Sequence, residues 1–591
     1  MCGFAGELAR GRPADLAAVE RMAATLAPRG PDGSGAWAAG PVALAHRRLK
    51  VIDLSERGHQ PLVDPHTGIT VVFNGCVYNH RELRAELERE GCVFFSSSDT
   101  EVIAKAWSRW GPACVERLLG MFAFVVAERD SGRVALVRDR LGIKPLYLAE
   151  VAGATRFAST LPALLAGGGV DTALDPVALH HYFSWHGVVP APLTVLRGVR
   201  KLPAATVLEL EPDGSERRTT YWEASFTRRP ADAGMTAQDW SAAVLESLRT
   251  AVRRRVVADV PVGVLLSGGV DSSIIVALLA EAGQAELATF SVGFEAVGDQ
   301  EGDEFAHSDL VAAQYATDHH RWRVSAAGIV DALPAAIAAM SEPMVSHDAV
   351  AFFLLAEQVA RTHKVVQCGQ GADELFAGYS WYPPLHEAPG LGADAYAREF
   401  FDRPHSEVTE LLQAAALPAG DPSTAYVEAH FGRPGAESPL DRALRLDTDT
   451  MLVDDPVKRV DNMTMASGLE ARTPFLDHEL VELVAACPPE HKLAGGGKGV
   501  LKDACRGVLP DAIIDRRKAY FPVPALTQLR GPALAMVRET LCSERARKRG
   551  VLRPEYVERL LAAPDDHRTT LEGSKLWQLG LLELWLGEQG L

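Results

Sequence analysis

The run Val262-Gly263-Val264-Leu265-Leu266-Ser267-Gly268-Gly269-Val270-Asp271-Ser272-Ser273 most narrows what this chain can fold into. Its first five residues form a short, unbroken apolar stretch, the pattern of a strand covered on both faces, as in a parallel sheet flanked by helices. Ile274-Ile275-Val276-Ala277-Leu278-Leu279-Ala280 then read as a buried helix. The turn between them is made of serines and glycines. Two glycines let backbone N–H groups come close to an anion, and the helix start adds its partial positive charge. Ser267, Ser272 and Ser273 add hydroxyl donors, and Asp271 is placed to hold the Mg²⁺ that accompanies a polyphosphate. A Walker P-loop would carry a lysine here. None is present, so this is a different phosphate cradle.

Strand, Ser-Gly-Gly-x-Asp-Ser-Ser turn and helix together resemble the pyrophosphate loop of the ATP pyrophosphatase enzymes, which split ATP between the α and β phosphates to adenylate a substrate. The resemblance implies that Leu266, Ser267, Gly268, Gly269, Asp271, Ser272 and Ser273 bind ATP, and it is silent about the substrate. A chain of 591 residues holds several domains or two large ones. Its formal charge of −17 argues against a nucleic-acid or anionic-membrane partner, which would need a basic face. Eight cysteines without a CxxC pair suggest neither a zinc site nor a disulfide framework, and fit buried reduced thiols of a cytoplasmic protein. No apolar run approaches ~20 residues, so membrane insertion is not expected.

The chain begins Met1-Cys2-Gly3-Phe4-Ala5-Gly6. Removal of Met1 would leave Cys2 with a free α-amine of pKa near ~7.8 beside its thiol, a general base for that nucleophile without any histidine. By itself Cys2 could equally sit in a disordered terminus. Motifs further along the chain decide between the two: Arg29-Gly30-Pro31-Asp32, His46-Arg47-Arg48-Leu49, Phe73-Asn74-Gly75-Cys76-Val77-Tyr78-Asn79-His80 and Ser97-Ser98-Asp99-Thr100-Glu101, in this order. They resemble the class II glutamine amidotransferase domain, whose N-terminal cysteine hydrolyses glutamine to glutamate and ammonia. On that resemblance Cys2 is the nucleophile, and Asn74 and Gly75 form the oxyanion hole. Arg48 then holds the α-carboxylate of glutamine and Asp99 its α-ammonium. Cys76 is a departure, because the family usually places Glu there.

A second block, Lys364-Val365-Val366-Gln367-Cys368-Gly369-Gln370-Gly371-Ala372-Asp373-Glu374, and a third, Asp461-Asn462-Met463-Thr464-Met465 through Leu469-Glu470-Ala471-Arg472-Thr473-Pro474-Phe475-Leu476-Asp477, are similar to glutamine-hydrolysing asparagine synthetases. This resemblance implies Asp373 as the second Mg²⁺ ligand beside Asp271, and Val292, Gly369 and Gln370 near the nucleotide. Lys518 would neutralise phosphate charge in the adenylating step, with Lys498 ranked behind it. Gln370 stands where the family has a proton-handling Glu, and glutamine cannot take up a proton at neutral pH. Cys76, Gln370 and the run Ser341-Glu342-Pro343-Met344-Val345-Ser346-His347-Asp348 most resemble the N-acetylglutaminylglutamine amidotransferase subfamily. Glu342, His347 and Asp348 are the expected acceptor contacts, although His347 and Asp348 could equally cap a helix start.

The expected fold is α/β in two parts. Residues 2–212 form a glutaminase domain, an Ntn-type αββα sandwich; residues 213–238 are a linker rich in polar residues, Gly and Pro. Residues 239–591 form a doubly wound ATP-pyrophosphatase domain of the adenine nucleotide α-hydrolase-like kind, entered through a helix whose stripe is Leu245, Leu248, Val252 and Val256. ATP and Mg²⁺ are the expected cofactors. Glutamine, ATP and a carboxylate acceptor are the expected small-molecule partners, and a homodimer is left open. The acceptor is the acetylated dipeptide or, as the alternative, aspartate. A non-enzymatic binding scaffold is disfavoured because Cys2, Asn74, Gly75, Asp271 and Asp373 are all present.

Overall fold

In the computed structural model, which describes residues 2–284, 286–295, 302–516, 523, 526 and 528–591, strand alternation organises the N-terminal half. Its strands are β1 (Gly3–Ala9), β2 (Gly33–Ala39), β3 (Val42–Arg48), β4 (Leu62–Asp64), β5 (Ile69–Val77), β6 (Gly120–Glu128), β7 (Val134–Arg138), β8 (Tyr147–Val151), β9 (Ala154–Ala158), β10 (Val199–Lys201), β11 (Thr206–Leu210) and β12 (Glu216–Thr220). They make two antiparallel sheets, β10-β8-β9-β1-β3-β2 and β12-β11-β7-β6-β5-β4. Successive residues of β5 and β6 point into different cores. Val72, Ala123 and Val125 meet Phe4, Leu44 and Phe157 of the first sheet. Val71, Phe73, Phe122 and Phe124 meet the helices His80–Arg89 and Asp99–Trp110. Helices Leu16–Thr25 and Leu161–Gly167 cover the outer face of the first sheet. The result is the helix–sheet–sheet–helix sandwich expected from the resemblance.

The segment read as a linker contains a strand. β12 pairs antiparallel with β11 from Thr206↔Thr220 to Leu210↔Glu216, although all five of its residues are exposed. Glu-Arg-Arg-Thr-Thr carries no apolar alternation, so only the free edge of β11 makes it a strand. The helix Ala237–Arg254 begins at a Thr236/Asp239 capping box and buries Trp240, Val244, Leu248, Ala251 and Val252. Its buried stripe is therefore rotated from the expected one. Leu245 is only half-buried, and Val256 lies beyond the last turn, 37% exposed.

The C-terminal half holds β13 (Val262–Leu265), β14 (Ala288–Phe294), β15 (Asp318–Val324), β16 (Val365–Gln367) and β17 (Glu470–Arg472). All neighbours in the order β15-β14-β13-β16-β17 are parallel. Val264 and Leu265 enter separate cores, so helices cover both faces. The chain leaves β13 toward β14 and β15 and returns on its other side as β16. The loop after β13 thus sits at a topological switch point, where such sheets bind ligands. Among the described residues no helix is long and apolar enough to cross a membrane.

The two halves are joined through buried charge. Asp461 pairs with Arg29 at 2.9 Å and with Lys144 at 3.1 Å. Beside them Glu342, Asp454, Lys458 and Lys201 form a second buried cluster to which the Tyr147 hydroxyl donates. Burial alone would raise the Asp461 carboxyl, but Arg29 and Lys144 outweigh it and hold it below its ordinary value. A carboxyl held low in the folded chain adds stability above the ordinary carboxylate pKa of ~3.9, and that stability is lost as pH falls through the lower folded value. Asp461→Ala leaves two buried cations unpaired and is expected to cost about 3–5 kcal/mol near neutral pH. Guanidinium denaturation of both proteins checks this, with the gap between them narrowing below pH ~4. Equal midpoints at neutral pH would refute it.

Candidate functional site

Two sites lie on either side of this interface. In the N-terminal half, Cys2 precedes β1 and is 7% exposed. Its backbone N–H donates to Asn74 Oδ1 at 3.2 Å, and the Leu49 N–H donates to its Sγ at 3.4 Å. Burial pushes the Cys2 thiol above its ordinary value, so a nearby base is needed to make it a nucleophile. Asn74 is fixed by β5, where it stands opposite Ala123 of β6. With its Oδ1 taken, its Nδ2 is buried and has no hydrogen-bond partner among the described residues. Leaving that donor unmet is costly, and an oxyanion developing beside Cys2 would satisfy it. Gly75 is required next to it, because a Cβ there would lie 2.1 Å from the Met121 carbonyl oxygen.

Arg48 ends β3 and lines the same recess as Cys2, Gly75 and Asp99. Its guanidinium donates to the carbonyls of Ser55 (2.9 Å), Ile52 (3.3 Å) and Asp53. Among the described residues no carboxylate pairs with it, so its charge is available to an anion. Asp99 opens the helix Asp99–Trp110 and accepts from the Val77 N–H at 3.1 Å. Burial raises its carboxyl, as does the nearby Glu470. Glu470 comes from β17 of the other half and also lines the recess, paired with Arg472 at 2.6 Å. Arg472 in turn reaches Cys76 Sγ at 3.7 Å. The glutaminase-like recess is therefore closed by the C-terminal half, which the motif order could not reveal.

The second site surrounds the loop after β13. The Ser267 N–H donates to Ser272 Oγ at 3.1 Å, which fixes the turn. Gly268 has φ +77°, and a Cβ there would lie 2.6 Å from the Ser308 nitrogen. Ser273 Oγ is buried and without a partner among the described residues. Leu266, Ser267 and Val292 line a recess with Ser291, Phe294 and Phe305, which suits the flat base and ribose of a nucleotide. Gly369 packs against the loop so closely that a Cβ would meet the Asp271 Cβ at 2.9 Å; Gln370 follows, half-buried.

Asp271 and Asp373 face one point, and Lys498 Nζ occupies it, 2.7 Å from Asp271 and 2.8 Å from Asp373. Two carboxylates converging on one cation fit a hard divalent ion such as Mg²⁺. Gly378 permits the arrangement, since a Cβ there would be 2.1 Å from Asp373 Oδ1. Lys498, ranked second from the sequence, is thus a lysine at the carboxylates. Lys518 lies outside the described residues. Its neighbour Arg516 donates to the Gly268 carbonyl at 3.2 Å and pairs with Glu304.

The expected acceptor residues divide. Glu342 is 1% exposed and engaged by Lys201, Lys458 and Tyr147 in the interface cluster, so its charge is already matched and it holds no further cation. Asp348 pairs with Arg459 at 3.1 Å. His347 precedes the helix Asp348–Val359 but makes no capping hydrogen bond, and its Nε2 has no partner among the described residues. Burial lowers its pKa to about 3, so the ring is neutral. Two π-helical turns, Asp447–Met451 and Val453–Val457, aim Asp454 at Lys201 and Asp455 at Arg459 and Ser346. Such turns commonly mark functional sites.

Comparison with known proteins agrees with this division. Residues 243–587 match the family described as asparagine synthase, and residues 1–222 match a glutamine amidotransferase domain. Asparagine synthetase [glutamine-hydrolyzing] 1 of Bacillus subtilis is 29% identical over 99% of this chain and 96% of its own length. Asparagine synthetase [glutamine-hydrolyzing] 3 of the same organism is 32% identical over 88% of this chain and 87% of its own.

The position of Lys498 has a measurable consequence. A cation entering between Asp271 and Asp373 must displace or repel its ammonium, an interaction of about 4 kcal/mol for unit charges ~4 Å apart near a protein surface. Lys498→Met is therefore expected to bind Mn²⁺ at least about tenfold more tightly than the unaltered protein in the absence of nucleotide. Electron paramagnetic resonance of free Mn²⁺ measures this; unchanged or weaker binding would show that the carboxylates do not share one cation site.

Proposed function

The chain belongs to the glutamine-hydrolysing asparagine synthetase family, and from that premise we propose that its two sites perform one amide-forming reaction with N-acetylglutaminylglutamine as acceptor. It is a carbon–nitrogen ligase with glutamine as nitrogen donor. The observation that carries this reading is the pairing of Cys2, with an unmatched Asn74 donor beside it, and the converging Asp271 and Asp373 across one buried interface.

In the first step the α-amine of processed Cys2 takes the thiol proton, and the thiolate attacks the side-chain amide of glutamine. Asn74 Nδ2 and the Gly75 N–H stabilise the oxyanion. Ammonia leaves, and water releases glutamate from the thioester. Arg48 binds the α-carboxylate and Asp99, ionised against the α-ammonium, holds the other end. In the second step the acceptor carboxylate attacks the α-phosphorus of ATP, giving the acyl adenylate and pyrophosphate. Ser267, Ser272, Ser273 and the loop N–H groups hold the phosphates, and Lys498 neutralises their charge. Asp271 and Asp373 would hold Mg²⁺, which when bound supplies further neutralisation of the leaving pyrophosphate. Ammonia then displaces AMP to give the amide.

The acceptor assignment is supported by two neutral side chains. Near residues 346–348, Asp348 and Asp455 share the single guanidinium of Arg459, and Asp455 also accepts from the Ser346 hydroxyl. His347, whose Nε2 has no partner among the described residues, and Gln370, which follows Gly369 beside the loop after β13, offer neutral polar groups. Neutral donors suit an acylated, amide-rich dipeptide. The decisive assay supplies ATP, Mg²⁺ and glutamine with either acetylated diglutamine or aspartate and identifies the amide by mass spectrometry. Asparagine as the only product would make aspartate the acceptor.

Cys2→Ala is expected to abolish glutamine-dependent amide formation while leaving synthesis from ammonium salts; loss of both would assign Cys2 a folding role. Gln370→Glu places a new negative charge near the acceptor and pyrophosphate. At ~4 to 6 Å in a partly desolvated site this costs on the order of 1 to 4 kcal/mol, roughly ten to a thousandfold in rate. The variant is expected to slow the dipeptide reaction by that factor and to make little asparagine. A rise in asparagine formation would favour aspartate instead.

A further inference from the structure

Away from both sites, three side chains from distant parts of the chain converge. His180 lies in the helix Pro176–Ser184 of the N-terminal half. His405 opens the helix His405–Leu411, and Asp421 precedes the helix Pro422–Phe431, both in the C-terminal half. His180 Nε2 is 2.9 Å from His405 Nδ1 and 3.7 Å from Asp421 Oδ1. One ligand atom from each residue lies within 4.8 Å of the other two. Tetrahedral zinc, with bonds of ~2.0–2.2 Å to nitrogen and oxygen, sets its donors about 3.3 Å apart. The His180–His405 and His180–Asp421 separations straddle that spacing.

We propose that His180, His405 and Asp421 form a zinc site that clips the N-terminal half to the helical layer of the C-terminal half. The surroundings orient the ligands as a metal site requires. His180 Nδ1 is 2.8 Å from Ser423 Oγ, and that oxygen is 3.0 Å from His181 Nδ1. The consistent assignment has His180 Nδ1–H donating to Ser423, whose hydroxyl donates to His181. His180 Nε2 then carries a lone pair, and a ligating histidine is ordinarily held by its other ring N–H in this way. Asp421 is equally fixed: Oδ1 accepts from the Ser423 and Thr424 N–H groups and Oδ2 from the Thr424 hydroxyl.

The donor set also selects the ion. Two imidazoles and one carboxylate favour Zn²⁺ over Mg²⁺, which prefers all-oxygen sites such as Asp271 with Asp373. His180 is fully buried, whereas His405 and Asp421 are partly exposed and leave room for a water as fourth ligand. Without metal, one proton lies between His180 Nε2 and His405 Nδ1. On coordination it transfers through solvent to His405 Nε2, so both rings stay neutral and no proton is released overall. The helix that carries His180 already packs across the same boundary, with the ring centroids of His181 and Tyr426 5.9 Å apart.

The test uses full-length protein freed of metal with a chelator, titrated with ZnCl₂ by calorimetry and with Co²⁺ by visible absorption. One high-affinity ion per chain and the strong visible bands of tetrahedral Co²⁺ are expected. His405→Ala, and Asp421→Asn, which keeps the helix-capping oxygen, should each weaken binding at least about tenfold. Zn²⁺ should raise the melting temperature of the unaltered protein but not of His405→Ala. Equal Zn²⁺ binding by the unaltered protein and His405→Ala, or octahedral Co²⁺ spectra in both, would overturn the site and leave a hydrogen-bonded histidine pair.

Discussion

The rest of the structure depends on Asp461 held between Arg29 and Lys144. The three side chains are at most 6% exposed, and each cation comes from the N-terminal half while the carboxylate comes from the C-terminal half. Removing such charges from water is expensive, and only close pairing offsets it. The halves therefore cannot slide or separate by a few ångströms without leaving a buried charge unmatched. Rigidity of this kind is what a two-site reaction needs. In the proposed reaction, ammonia made at Cys2 must reach an adenylate in the other half before solvent protonates it, and a fixed boundary would serve that end.

The same interface completes the first site. Glu470 and Arg472 sit on β17, the edge strand of the parallel sheet, yet they border the recess that holds Cys2 and contact Cys76. On the same strand the Arg472 carbonyl accepts the Cys368 N–H at 2.9 Å, immediately before Gly369 and Gln370 beside the loop after β13. A three-residue strand thus touches both sites, and a shift at either end would be felt at the other through backbone hydrogen bonds.

Each site also holds polar groups that have no hydrogen-bond complement among the described residues. Asn74 Nδ2 and Ser273 Oγ are donors without acceptors among the described residues, and Arg48 is a cation held only by carbonyls. Asp271 and Asp373 converge on the Lys498 ammonium. Such preorganised, unmatched polarity favours charge that develops during reaction, because no reorganisation is then required.

Sequence alone determined the local parts. The apolar run into Ser-Gly-Gly-Val-Asp-Ser-Ser specifies a buried strand, an anion-binding turn and a helix, because each arises from a few adjacent side chains. Cys2, Asn74, Gly75, Arg48 and Asp99 were legible as a group because their motifs occur in a fixed order, and the structure brings them together around one recess. Tertiary structure decided everything that depends on distance in space rather than along the chain. The free edge of β11 turned Glu216–Thr220 into a strand. Lys498, itself left-handed at φ +58° before the helix Gly499–Cys505, came to stand between Asp271 and Asp373. Glu342 was drawn into the interface by Lys201, a residue 141 positions away. Charge pairing across such separations leaves no periodic signal in a sequence, since its energy is set by burial and geometry that exist only once the chain has folded.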